Sequence, residues 1–89
     1  MIVRFDKSFI KALDKIKDKT VLKRIESVIQ KAEEAEALEQ ISNTKKLIGF
    51  TVYYRIKIGD YRIGLELINT NEIRLITILH RKDIYKKFP

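Results

Sequence analysis

With 89 residues, 45% of them hydrophobic, and a formal net charge of +7, the chain can form one small domain over 1–89 and is too apolar for a disordered tail. It has no cysteine, which excludes disulfides, a thiolate nucleophile and a cysteine zinc site, and its one histidine, His80, cannot build a metal site alone. No apolar run approaches the roughly 18 residues of a membrane span.

The chain opens on Ile2-Val3-Arg4-Phe5, which reads as a short strand. Nothing in Met1 to Asp6 resembles the apolar stretch of a signal peptide, so a mature cytoplasmic protein without a membrane partner is expected. Asp6 can cap a following helix by accepting from its free N–H groups. Phe9, Ile10, Leu13 and Ile16 then recur at spacings of three and four, which gives that helix one apolar face. Lys17 to Thr20 break the pattern, with Asp18 or Thr20 available as the next cap. Val21, Leu22, Ile25, Val28, Ile29 and Ala32 repeat the helical spacing for three turns. The two segments read as a helical hairpin with both stripes turned to one core. Glu33-Glu34-Ala35-Glu36 reads as the solvated end of the second helix, and Ser42-Asn43-Thr44 as a loop.

After Gly49 the period shortens to two. Tyr54, Ile56 and Ile58 fall on one face of a strand, and Tyr53, Arg55 and Lys57 on the other. Gly59-Asp60 suits a two-residue hairpin turn, since glycine reaches positive φ freely. The next strand sets Tyr61, Ile63, Leu65 and Leu67 against Arg62, Gly64 and Glu66. Asn69-Thr70-Asn71 turns again, and Ile73 to Leu79 is apolar enough for a strand covered on both sides. A basic tail or short helix with interleaved aromatics, His80 to Pro89, closes the chain. The fold class is α+β: an N-terminal strand, a helical hairpin, then a three-stranded antiparallel meander packed on the helices by one face. Its other face reads as too basic for a core.

Charge is unevenly divided. Residues 1–44 hold nine Lys/Arg against eight Asp/Glu, and residues 45–89 hold ten against four. Folding at Gly59-Asp60 makes Arg55 and Lys57 neighbours of Arg62, and like charges held that close repel. Two readings of this face stand: an anion-binding site, or a solvated edge of splayed side chains. Arg81 and Tyr85 follow the last strand within reach of the same face. These groups suit cleavage of RNA through its own 2′-hydroxyl, which needs a base, positive charge on the phosphorane and an acid for the leaving 5′-oxygen. Like-charge crowding favours a neutral lysine, which makes Lys57 the base candidate. Arginine binds phosphate bidentately, and an aromatic ring can stack on a splayed base. The sequence has no carboxylate cluster of the kind two-metal hydrolysis uses, and no cofactor is expected.

Lys45-Lys46-Leu47-Ile48-Gly49, then Tyr54-Arg55-Ile56-Lys57-Ile58-Gly59-Asp60-Tyr61-Arg62-Ile63, then His80-Arg81-Lys82-Asp83-Ile84-Tyr85 resemble successive motifs of the RelE/ParE toxin superfamily, in order along the whole chain. The RelE resemblance implies a type II toxin–antitoxin toxin that enters the A site of the 70S ribosome, cuts the mRNA codon there, and is silenced by a cognate RelB-like antitoxin. By that resemblance Lys57 is the general base and Arg55 a phosphate binder. Arg62 stabilises the transition state, Arg81 serves the leaving group, and Tyr85 orients or stacks on the RNA. Lys45, Lys46, His80 and Lys82 are expected to bind RNA, and His80 either shares the proton work or only holds phosphate. Arg55 stands where some members have lysine, and Arg81 and Tyr85 stand closer together than in the best-known pattern. Two other functions remain beside this one. One is a ParE-like toxin that poisons gyrase without cutting RNA, and the other is a non-catalytic basic module that binds RNA or a partner.

Overall fold

In the computed structural model, which describes residues 1–89, strand β1 (Ile2–Phe5) leads into helices α1 (Lys7–Asp14) and α2 (Lys19–Glu34). A 3-10 turn (Leu38–Gln40) follows, then strands β2 (Thr44–Lys46), β3 (Tyr53–Ile58), β4 (Tyr61–Asn69) and β5 (Glu72–His80), and a single-turn helix α3 (Ile84–Lys87). Both long helices start on an aspartate. The Asp6 carboxylate accepts from the Ser8 N–H at 3.3 Å, and Asp18 accepts from Thr20 at 2.9 Å and Val21 at 3.3 Å. Asp18→Ala leaves those donors to water, and we expect a loss of about 1 kcal/mol. Thermal denaturation should then show Tm lower by roughly 4–8 °C for a domain of this size. A shift under about 1 °C would mean that solvent caps α2 equally well.

The strands form one five-stranded sheet in the order β1-β5-β4-β3-β2. The expected meander β3-β4-β5 is its centre, turned at Gly59-Asp60 and at Thr70-Asn71. Two strands extend it. β1 pairs in parallel with β5, from Ile2 opposite Glu72 to Phe5 opposite Leu75. β2 pairs antiparallel with β3, so Thr44, expected in a loop, opens an edge strand with its Cα partnered to Ile56. A three-residue strand carries too little periodic pattern to be read from sequence.

The helices cover one face of the sheet. Phe9 and Ile25 from the helices meet Ile56, Ile63, Leu65 and Ile73 from the strands, all at most 1% exposed. Truncating one of these to alanine typically costs about 2–5 kcal/mol. Helix α2 ends at Glu34, one residue short of Ala35, which is buried and not part of a solvated end.

The opposite face, expected to be too basic for a core, carries a small one. Leu47, Ile84 and Phe88 form a second small core there, with Tyr53, Ile76 and Leu79 packed around it. Ile84 and Phe88 lie four residues apart, so one helical turn aims both at the sheet. α3 is the lid on this core, and β5 is therefore apolar on both sides. Beside the lid, toward the Gly59-Asp60 turn, this face is open and cationic.

Candidate functional site

Strand β3 lays out the open face. Its alternation turns Ile56 and Ile58 into the core and leaves Tyr53, Arg55 and Lys57 on the far side. Pairing adds the neighbours: Lys57 lies directly opposite Arg62 on β4, and Lys45 on β2 directly opposite Arg55. Directly opposed residues hold their Cβ atoms about 5 Å apart, so two like-charged pairs sit side by side. Asn43, Thr44, Lys45, Arg55 and Lys57 line a groove of about 410 Å³ that contains no hydrophobic side chain.

Arg62 is the most constrained of these cations. Its Nη1 donates to the Gly59 carbonyl at 2.7 Å and to the Tyr61 carbonyl at 2.9 Å, which folds the guanidinium back over the hairpin turn. Partial burial, with the charges of Arg55 and Arg81 nearby, holds its pKa below the usual arginine range. Both causes disfavour a positive charge where one is nevertheless kept. The chain's ion pairs are Arg4–Glu72, Arg74–Glu66 and Arg81–Asp60, the last a loose 3.8 Å contact. Arg55, Lys57 and Arg62 thus face solvent without a carboxylate partner, which is the arrangement an anionic ligand completes.

Tyr85 completes the cluster from the far end of the chain. Ile84 and Phe88 anchor α3, and Tyr85 between them projects outward, 60% exposed. Its hydroxyl accepts a hydrogen bond from Arg55 Nε at 3.0 Å. Arg81 follows β5, with its backbone N–H on the Asp60 carbonyl at 2.8 Å, so it too stands at the turn end of the face. Five of the sequence-derived residues, Arg55, Lys57, Arg62, Arg81 and Tyr85, therefore meet on one side of the sheet, with Lys45 beside them.

The others do not converge there. Lys46 pairs with Tyr54 and falls on the helix side of edge strand β2. His80 pairs with Tyr61, and its ring stands edge-on to that tyrosine at 6.1 Å, on the helix side of the sheet and away from Arg62. It lines a cleft with Asp18, Arg24 and Asp60, and its Nδ1 accepts from the Lys82 N–H at 3.2 Å. The side chain of Lys82 is exposed in the turn after β5. No group of three or more His, Asp or Glu side chains is placed so that it could hold a metal ion.

A sequence model of the ParE toxins of type II toxin–antitoxin systems matches residues 3–85. The chain belongs to the RelE/ParE family of toxins. Toxin RelE3 of Methanocaldococcus jannaschii is 39% identical over an alignment of 90 positions that covers 100% of both chains. Solved structures agree. The RelB-RelE antitoxin-toxin complex from Methanococcus jannaschii matches with a TM-score of 0.78 at 37% identity, over 97% of this chain and 99% of that one. The archaeal RelE-RelB complex from Pyrococcus horikoshii shares the fold at 24% identity and a TM-score of 0.70, covering 90% of this chain and 93% of that one. So does the intact Escherichia coli RelBE complex, at 24% identity and 0.66, covering 86% and 92%.

In this toxin the support under the cluster went unread in the sequence. A Cβ on Gly64 would lie 2.9 Å from three carbons of the Phe88 ring, so only glycine lets that ring settle on β4. Phe88 in turn stands edge-on to Tyr53, ring centroids 5.6 Å apart. A lone glycine inside a strand often marks such a close approach, and that was the one available signal.

Proposed function

We propose that the toxin is a ribosome-dependent endoribonuclease that cuts mRNA within the A-site codon by attack of the RNA's own 2′-hydroxyl. The observation that carries this reading is the Arg55–Tyr85 hydrogen bond. It draws the C-terminal tyrosine onto the unpaired cations of β3 and β4, so that a phosphate and an adjacent base could be held together. In the reaction Lys57 takes the 2′-hydroxyl proton, the freed oxygen bonds to phosphorus, and the phosphorus–5′-oxygen bond breaks. Arg62 and Arg55 offset the charge that builds on the phosphorane. The 5′-oxygen departs as a hydroxyl, protonated by Arg81 or by water with Arg81 offsetting its charge, which leaves a 2′,3′-cyclic phosphate. Tyr85 orients the RNA by stacking or through its hydroxyl. The groups gathered are cations and a phenol, which suits a route that does not depend on metal-held carboxylates.

The same reading takes residues 1–89 as one cytoplasmic toxin domain with a RelB-like antitoxin, as in the complexes of its relatives. An acidic antitoxin segment would be steered to the cationic face. No helix of the toxin is long and apolar enough to cross a membrane.

The test is cleavage of a defined message on purified 70S ribosomes with an empty A site. Wild-type toxin should cut within the exposed codon. If nothing is cut while the toxin still arrests growth, the gyrase-poisoning activity of the ParE branch takes its place. The ParE family match favours that second reading, and the retained cations favour the first.

A further inference from the structure

We propose that Phe50, propped edge-on by Tyr53, is a stacking platform for a nucleobase next to the phosphate held by Arg55, Lys57 and Arg62. This rests on the nuclease reading and adds a subsite to it, separate from Tyr85.

The far face of β3 changes character along its length. From the hairpin turn it presents Lys57, then Arg55, then Tyr53, each about 7 Å beyond the last. Cations thus give way to aromatics along one line. Beyond Tyr53 the chain makes a tight turn, in which the Phe50 N–H donates to the Leu47 carbonyl at 3.3 Å. Gly49 sits third in that turn at φ +87°, the left-handed position that a type II turn demands. The turn throws Ile48 outward, 91% exposed, and brings Phe50 back to the sheet.

Phe50 then lies 5.6 Å from Tyr53 at 78°, and Tyr53 lies 5.6 Å from Phe88 at 81°. The three rings form an edge-to-face row. Its Phe88 end is buried at 5% exposure, and its Phe50 end is 44% exposed. Edge-to-face contacts fix ring orientation. A ring that is both oriented and wet is suited to take a planar ligand, and the neighbouring unpaired cations call for a phosphate. Together these are the two halves of single-stranded RNA recognition: cations along the backbone and rings under the bases. An apolar protein segment would use the ring but leave Arg55 and Lys57 without a partner.

The experiment measures binding of fluorescently labelled toxin to 70S ribosomes programmed with a message blocked by 2′-O-methyl groups in the A-site codon. Abasic nucleotides are scanned across that codon and its flanks. Phe50→Ala should weaken binding roughly 5- to 100-fold, in line with losing one base–aromatic stack, and Phe50→Trp should retain it. One abasic position should weaken wild type by a similar factor and leave Phe50→Ala unchanged. The proposal is overturned if Phe50→Ala binds like wild type, or if its deficit is the same at every abasic position. It is overturned as well if Phe50→Ala spares ribosome binding but weakens the complex with a co-expressed antitoxin, which would make the ring a protein contact. Cleavage of the unblocked message by wild type keeps the two ideas apart. If wild type binds and cuts while Phe50→Ala is indistinguishable from it, stacking alone fails; if wild type does neither, both fail.

Discussion

Arg62→Ala should cut A-site codons about 100- to 1000-fold more slowly than wild type, with a much smaller change in affinity for the ribosome. The magnitude is that of removing one preorganised group aimed at developing charge. Preorganisation is what distinguishes Arg62 from its neighbours, because two carbonyls of the hairpin turn hold one of its nitrogens in place. Lys57 and Lys45 are exposed and have no such anchor. A fixed guanidinium needs no reorientation when the phosphorane forms, so its worth appears in kcat. Arg62→Lys should rescue little, since an ammonium on the two turn carbonyls keeps one donor, whereas the guanidinium held there by Nη1 keeps Nε and Nη2 for a bidentate phosphate contact. Folding serves as the control. The substitution removes two hydrogen bonds to the turn but also relieves the crowding of cations, so thermal denaturation should show a net loss of no more than about 1–2 kcal/mol, with the fold intact. A fall in cleavage of less than about fivefold would move the main electrostatic burden to another residue.

Gly64→Ala should loosen α3 and cost about 1–3 kcal/mol in chemical denaturation, the usual range for overpacking. The added methyl would sit 2.9 Å from the Phe88 ring, too close for both to stay. Phe88 is the easier of the two to move, because it only caps a single-turn helix whose hold on the sheet is Ile84 and Phe88 itself. When it moves, Tyr85 leaves Arg55, and cleavage should drop about tenfold or more. A double-mutant cycle isolates the cause. In a Phe88→Ala background the clash is gone, and alanine at 64 should be neutral or slightly stabilising, because glycine weakens a strand interior. If the two costs instead add, ring contact is not what makes Gly64 necessary.

Much of the fold could be read because its signals are periodic. The apolar stripes of α1 and α2, the alternation in β3 and β4, and the turn at Gly59-Asp60 each repeat over several residues. β2 could not be read, because three residues of Thr-Lys-Lys carry no period and gain their strand character from β3. The lid was missed for a related reason. Ile84 and Phe88 span one turn in a basic tail, and their burial depends on a bare patch at Gly64, distant in sequence. At the site, strand alternation and the hairpin register were enough to group Arg55, Lys57 and Arg62. Which face His80 takes was a different matter, since it depends on the register of β5 against Tyr61 across a strand with an irregularity between Gly64 and Leu65. A one-residue change in pairing moves a side chain to the other face, so the end of that strand was not determined by its sequence.

The parallel seam between β1 and β5 fixes an order of assembly. The hairpins β3–β4 and β4–β5 each close over two residues, whereas bringing Ile2 to Glu72 closes a loop of about 70 residues. Closure entropy grows with loop length, and pairings distant in sequence are slow to form. The central hairpins can therefore zip early, carrying Arg55, Lys57 and Arg62 with them. Arg81 and Tyr85 arrive only as β5 is laid down. The helical layer is tethered behind β1, and α1 packs on β5, so it can seal the reverse of the sheet only once that strand exists. A chain stopped before this step would show the bare apolar side of β5 to its surroundings. The first four-residue strand, which touches none of the cations, thus acts as the latch whose closing separates a sticky intermediate from a finished toxin.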